Sequence, residues 1–233
     1  MRPFCKVLLL LPFLGMLTPL SAQAESAVRI PPPAVEVPAA TGMQTAVLAG
    51  GCFWGVQAVY QHVKGVTNAV SGYAGGTKED ATYEKVGSGR TGHAEAVAVT
   101  FDPRVISYGK ILQIYFSVAH NPTEIDRQGP DVGTEYRSEI FPQDEAQRLI
   151  ARAYIAQLDG AKVFGKPIAT KINAGKQTFY RAEAYHQDYA LKHPYNPYIV
   201  INDAPKVKNL KAVFADIYRD KPVTVAQAEA AGN

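Results

Sequence analysis

Six consecutive residues, Gly50-Gly51-Cys52-Phe53-Trp54-Gly55, bring a nucleophile beside two aromatic faces. The paired glycines permit a sharp turn that a Cβ would obstruct, so Cys52 falls at the start of the helix that follows. The first turn of a helix presents unpaired N–H groups and the positive end of the macrodipole, and a thiol there is expected to ionise below its free value of about 8.5. A thiolate is a soft nucleophile. Phe53 and Trp54, the chain's only tryptophan, are expected to wall a pocket for a small apolar group. Glu95 lies in a stretch that is otherwise Ala and Val; a carboxyl buried there keeps its proton at neutral pH and can act as an acid. Each residue also has a plainer reading: Cys52 as a small buried hydrophobe, the aromatic pair as core, Glu95 as a strand residue facing water.

Two other chemistries use the same residues. His93 or His186 as a base for Cys52 would make a cysteine hydrolase that passes through an acyl-enzyme. A module that merely binds an apolar methyl through Phe53 and Trp54 would use no chemistry at all. His93-Ala94-Glu95 spells the H-x-E of zinc deaminases, but the P-C-x-x-C that completes that site is missing. His186 and His193, seven residues apart with Pro194 beside the second, read as solvated helix histidines, and no metal site is expected.

The elements that must position these residues alternate between strand and helix. Residues 45–49 form a β-prone run that meets Gly50-Gly51, and Phe53, Val56, Val59 and Val63 then recur at helical spacing. Strands are expected over 65–73, 93–101, 138–141 and 168–172, and helices over 108–119, 143–158, 182–192 and 207–218. The pattern is that of an α+β domain with helices packed on a sheet. Residues 25–43, with Pro31-Pro32-Pro33 and Pro38, favour extended chain and read as a linker or arm; residues 44–220 form one domain, and 221–233 a tail.

Among 233 residues, 24 Lys and Arg against 21 Asp and Glu leave a net charge of +3, too small and scattered for the phosphate-neutralising stripe of a nucleic-acid binder. Arg2 and Lys6 precede an apolar run from Val7 to Leu20, followed by the small-x-small pattern of Ser21-Ala22-Gln23-Ala24. Residues 1–24 therefore read as a signal peptide, with export to the periplasm and no lasting membrane insertion after cleavage near Ala24. Cleavage would remove Cys5 and leave Cys52 as the sole cysteine, with no internal disulfide to hide in.

The string GGCFWG resembles the active-site signature of the A-type peptide methionine sulfoxide reductases. The same family's segments follow in order: SGYAGG (71–76), ATYEKV (81–86), GHAEAV (92–97), FDP (101–103), HNPT (120–123), GTEYRS (133–138) and YHQDY (185–189). The resemblance runs from Thr45 to Tyr218. It implies a two-layer α/β sandwich, a ferredoxin-like plait around a mixed sheet. It also implies reduction of methionine-S-sulfoxide with Cys52 as nucleophile and Glu95 as proton donor. Tyr83 and Tyr136 match the tyrosines that hydrogen-bond the sulfoxide oxygen, Asp131 matches an aspartate that supports the site's hydrogen-bond network, and Phe53, Trp54 and Gly51 fall at the substrate-binding turn. The chemistry leaves Cys52 as a sulfenic acid, the first step of cysteine oxidation. Many relatives carry a later cysteine that condenses with it, whereas no Cys follows Cys52 here. Regeneration is therefore expected from an external thiol, a thioredoxin-like or glutaredoxin-like protein or a small thiol, with no other cofactor. Gly87 stands where the family often has cysteine, and Gln57 where glutamate is common.

Overall fold

Alternation along residues 94–101 decides which side of the sheet becomes the core. Glu95, Val97, Val99 and Phe101 face one side, where Val97, Val99 and Phe101 join the main apolar cluster; Ala94 and Ala96 face the other and join a smaller cluster with Val47, Ala49, Ala74 and Phe141. The computed structural model describes residues 26–37 and 41–232. The expected signal peptide lies outside the described residues.

The strands are β1 (Gln44–Gly50), β2 (Val66–Ala74), β3 (Ala94–Phe101), β4 (Arg127–Gln128), β5 (Asp131–Val132), β6 (Ser138–Phe141), β7 (Lys171–Ile172) and β8 (Phe179–Arg181). The helices are α1 (Phe53–Gln61), α2 (Tyr83–Val86), α3 (Tyr108–Ile114), α4 (Glu145–Gly160), α5 (Tyr189–Lys192), α6 (Ala204–Val213) and α7 (Val225–Ala230). Six strands form one sheet in the order β7-β6-β1-β3-β2-β8; β4 and β5 make a separate hairpin. The central four, β6-β1-β3-β2, are antiparallel neighbours with the strand order of a ferredoxin-like plait. Only β7, parallel to β6, makes the sheet mixed.

The helices pack on the Val97 face. Val56, Val59 and Tyr60 of α1, Ile111, Leu112 and Ile114 of α3, and Ile150, Tyr154 and Leu158 of α4 all enter one core with Leu48, Val97 and Ile140. Every residue of α1 except Trp54 is buried, because Leu210 of α6 and the C-terminal segments cover the side that the sheet leaves open. A helix enclosed on all sides must satisfy its polar groups internally. Gln57 does so by donating to Ala69 O and to Gln187 Oε1 while accepting from Asp188 N.

Two sequence expectations need revision, and a third, left between linker and arm, is narrowed. Residues 26–37 are extended, as their prolines dictate, and lie along the domain as an arm. An extended chain has no internal hydrogen bonds, so its carbonyls are free for side chains of the core helices. Gln113 Nε2 donates to Ile30 O at 2.9 Å, Tyr154 OH to Pro31 O at 2.6 Å and Gln157 Nε2 to Pro32 O at 2.9 Å, and Ile30 is buried.

The helix expected over 182–192 is broken into a 3₁₀ turn at Ala184–His186 and the short α5, with Asp188 left-handed at φ 59° between them. Gln187 causes the break. Its side-chain amide accepts from Ser71 N and donates to Ser71 O, standing in for a strand beside β2. Asp188 then accepts from Gln61 Nε2 and from Val225 N. That last bond also folds the expected tail: α7 docks with Val225 and Ala228 buried.

Candidate active site

Cys52 occupies the N-cap of α1, as the glycine turn requires. Gly51 has φ +83°, and the stem of Gln128 approaches so closely that a Cβ on Gly51 would lie 2.5 Å from it. Gln128 is fixed in turn by accepting from Asn121 N at 2.9 Å and donating to Asn121 O at 2.8 Å. Gly51 thus serves the site through its backbone, holding Cys52 at the mouth of α1.

The residue below the thiol is Glu95. Its register on β3 opposite Tyr73 points it to the helical face, where Oε2 accepts the backbone N–H of Phe53 at 3.0 Å. The carboxyl is 3% exposed. Burial, aided by Asp131, Glu135 and Asp203, pushes its pKa up to about 8 against the opposing pull of the Phe53 N–H. A protonated acid at neutral pH is therefore built into the strand, as its apolar neighbours predict.

The thiol departs from expectation. Burial, with Glu95 and Asp203 adding to it, drives the Cys52 pKa well above the free value, and the N–H of Trp54 opposes this only in part. The helix N-terminus acts in the predicted direction, but desolvation of an almost fully covered sulfur outweighs it. The resting residue is a thiol, not a thiolate.

Around this pair the predicted residues do converge. Phe53 is buried, with its ring centroid 5.9 Å from Tyr73 and 6.5 Å from Trp54. Trp54, half-buried, stacks on Tyr189 at 3.8 Å. Tyr83 opens α2 and is partly exposed, and Tyr136 closes a 3₁₀ turn after the β4–β5 hairpin. Burial raises the pKa of both phenols, and the nearby acidic groups Glu95 and Cys52 raise both further. Asp131 enters from β5, accepts from Tyr198 OH, and is pushed up by burial.

Sequence reasoning missed several participants. Tyr198 packs edge-on against Trp54 at 5.9 Å and feels Cys52, Asp131 and Asp203. Asp203 is fully buried, 3.7 Å from Lys206 Nζ, and fills the space that Gly55 leaves open: a Cβ there would lie 2.2 Å from its Oδ1. Tyr198 is one of 13 tyrosines in the chain, and nothing local marks it. Gln57 does touch the site's scaffold, through Gln187. His186 is not a solvated helix histidine: it is buried and accepts from Trp54 Nε1.

Both ring nitrogens of His93, and Nδ1 of His186, are engaged with partners other than the sulfur. His93 accepts from Gly76 N at Nδ1 and meets Thr77 O through Nε2, while His186 Nδ1 serves Trp54. A hydrolase base for Cys52 would need one of them.

A family model described as peptide methionine sulfoxide reductase matches residues 44–217. The chain belongs to that family. It is similar to the peptide methionine sulfoxide reductase MsrA 2 of Mesorhizobium japonicum, 60% identical over 190 residues that cover 82% of this chain and 97% of the relative. The MsrA 2 of Synechocystis sp. is 44% identical over 191 residues, covering 80% and 89% of the two chains. Among solved structures, reduced Mxr1 from Saccharomyces cerevisiae aligns with TM-score 0.59 and 30% identity over 70% of this chain and 92% of its own. The methionine sulfoxide reductase A of Corynebacterium diphtheriae aligns with TM-score 0.56 and 30% identity over 76% and 92%. The protein is an oxidoreductase that reduces methionine sulfoxide.

Proposed function

We propose that the protein reduces the S epimer of methionine sulfoxide, protein-bound, in peptides or free, with Cys52 as nucleophile and Glu95 as proton donor. The observation that carries this reading is the bond from Phe53 N–H to Glu95 Oε2, which puts a neutral carboxyl at the same helix turn as the only cysteine beyond residue 5. The sulfoxide sulfur meets Cys52 Sγ, the methyl packs on Phe53 and Trp54, and the oxygen faces Glu95, Tyr83 and Tyr136. Because Cys52 rests as a thiol, the thiolate forms only as substrate arrives, and its proton reaches the sulfoxide oxygen by way of Glu95. Tyr83 and Tyr136 donate to that oxygen as charge develops, and Asp131 with Tyr198 holds the surrounding network. In balance, sulfoxide and thiol become thioether and Cys52 sulfenic acid.

An external thiol then condenses with the sulfenic acid, releasing water, and a second thiol frees Cys52 as a disulfide departs. A thioredoxin-like or glutaredoxin-like protein, or a small thiol, fills that role. We further infer export to the periplasm from the basic, apolar and small-residue pattern of residues 1–24, so that the enzyme repairs oxidised methionine there.

The test is single-turnover reduction of a methionine-S-sulfoxide peptide, with the R epimer alongside and free thiol counted before and after. One thiol lost per methionine formed, from the S epimer only, is expected, with turnover restored by added thiol. Methionine formed from both epimers, or without thiol loss, would sink the reading.

A further inference from the structure

Two successive residues of the HNPT segment, His120 and Asn121, support the two successive glycines that precede Cys52. His120 meets Gly50 directly: a Cβ on that glycine would lie 3.1 Å from the histidine Cβ and 3.2 Å from the ring of Tyr115. Asn121 reaches Gly51 by way of Gln128, which it bonds at both ends of the side-chain amide. Tyr115 OH also donates to Ala49 O, the last carbonyl before the glycines, at 2.5 Å. The end of α3 brings the two rings together. After Ile114 the chain continues as one turn of π-helix over Tyr115–Ala119, every residue of it buried. Such wide turns are rare and concentrate at functional sites.

His120 closes that turn, with Nδ1 3.0 Å from Tyr115 O and the ring centroids 3.9 Å apart. A carbonyl only accepts, so Nδ1 carries a proton. Burial holds the imidazole neutral, its pKa lowered to about 3, and Nε2 is therefore bare. It must accept, and Ser138 OH donates to it at 2.7 Å. Ser138 Oγ then accepts from Thr170 OH at 2.7 Å, with Tyr115 OH 2.9 Å away. All four side chains are buried, and a buried network whose protons are all assigned is rigid. On its outer side the turn is pinned to the arm: Val28 N donates to Ser117 O at 3.0 Å, and Ser117 OH to Val28 O at 2.6 Å.

We infer that Tyr115 and His120 are positioning residues for the reduction: bonded to Ala49 O and packed on Gly50, they brace the backbone that delivers Cys52 Sγ to the sulfoxide sulfur. This rests on the reading of Cys52 as nucleophile. Two glycines in a row sample more backbone conformations than any other pair, so the turn that gives Cys52 its place has no rigidity of its own. Attack requires the reacting atoms within about 3–3.5 Å, and a misplacement of about 1 Å costs on the order of 10²-fold in rate. Neither residue belongs to the aromatic wall at Phe53 and Trp54. Loss of the brace therefore slows the attack and leaves substrate binding near the parent's.

Tyr115→Phe keeps the ring and removes the bond to Ala49 O. Well below its melting temperature, single-turnover reduction of a methionine-S-sulfoxide peptide is expected to slow about tenfold at saturation, with the half-saturating concentration within about twofold of the parent's. Thr170→Val is the control. It removes a buried hydrogen bond of the same network without touching the glycines, and is expected to melt earlier yet keep the parent's rate. Gly50→Ala pushes the turn off the brace by a few tenths of an ångström with every hydrogen bond left in place. It too is expected to slow reduction, and it carries the test if Tyr115→Phe does not fold. The parent's rate in Tyr115→Phe, an equal slowing in Thr170→Val, or a loss confined to the half-saturating concentration leaves the network a structural role only and overturns the proposal. Cys52→Ser, run alongside, separates the two readings: sulfoxide reduction that survives it means that the nucleophile is misassigned, whatever the brace does.

Discussion

The backbone N–H of Phe53 donates to Oε2 of Glu95 at 3.0 Å, tying the first turn of α1 to the middle strand of the sheet. This one contact places an acid beneath the nucleophile, while burial, against the pull of this N–H on the carboxyl, sets how the pair responds to pH. With its pKa at about 8, Glu95 keeps its proton below that value and loses it above. If its proton is the one delivered to the sulfoxide oxygen, kcat/KM in single turnover falls as pH rises through about 8. Glu95→Gln is expected to lower the rate at neutral pH by about 10²–10⁴-fold and to remove that limb. A limb of the same midpoint in the variant would assign it to another group.

The same carboxyl must also shape stability. Its folded pKa of about 8 lies above the ordinary 4.5, so the unfolded chain releases the proton first as pH rises. Stability present below pH 4.5 is then lost progressively up to about pH 8, on the order of 5 kcal/mol in all. Glu95→Gln, which retains an acceptor for Phe53 N–H, should be more stable than the parent at pH 8 and nearly equal at pH 4. Urea denaturation at the two pH values decides this; parallel shifts would count against a buried neutral acid.

Gly51 combines φ +83° with a Gln128 stem 2.5 Å from where a Cβ would sit. Gly51→Ala is expected to destabilise the fold by about 3 kcal/mol, through strain and overpacking together. Displacement of Cys52 should also cut the single-turnover rate in whatever protein remains folded. Thermal melting and activity of the soluble fraction measure the two effects, and a variant that retains both would show that the turn relaxes freely.

Tyr198→Phe removes the hydroxyl that donates to Asp131. Asp131, already raised by burial, is expected to shift further up, and the reduction step to slow about tenfold as the network around the oxygen loosens. The step at which external thiol restores Cys52 should be less affected. Stopped-flow separation of the two half-reactions tests it; equal slowing of both would point to a structural role only.

For the arm at residues 26–37, Tyr154→Phe deletes one tie, the 2.6 Å bond to Pro31 O, at a cost of about 1 kcal/mol. Removing the whole arm also uncovers Ile30's contacts with the core and should lower the melting temperature more. Unchanged melting on truncation would mean that the arm is held without contributing stability.

Much of this protein was legible before any coordinates. The glycines before Cys52 dictated a turn into a helix, and the alternation over residues 94–101 put Glu95 on the same face as Val97 and Val99, because a strand's side chains repeat every two residues. The signature around Cys52, with the segments that follow it, identified the family and the plait. Those are local patterns, and local geometry carries them. What the tertiary structure decided depends on groups far apart in sequence. The resting thiol follows from burial and from Glu95 and Asp203, 43 and 151 positions away, which overrule a helix terminus that was correctly placed. The break at Asp188 follows from Gln187 bonding to Ser71, and the docked arm from Gln113, Tyr154 and Gln157 offering donors to its carbonyls. His186 passed for a surface residue because nothing in its neighbours announces that Trp54 will need an acceptor. Periodicity fixes which face a side chain takes; the charge it holds and the partner it finds are set by what folding brings against that face.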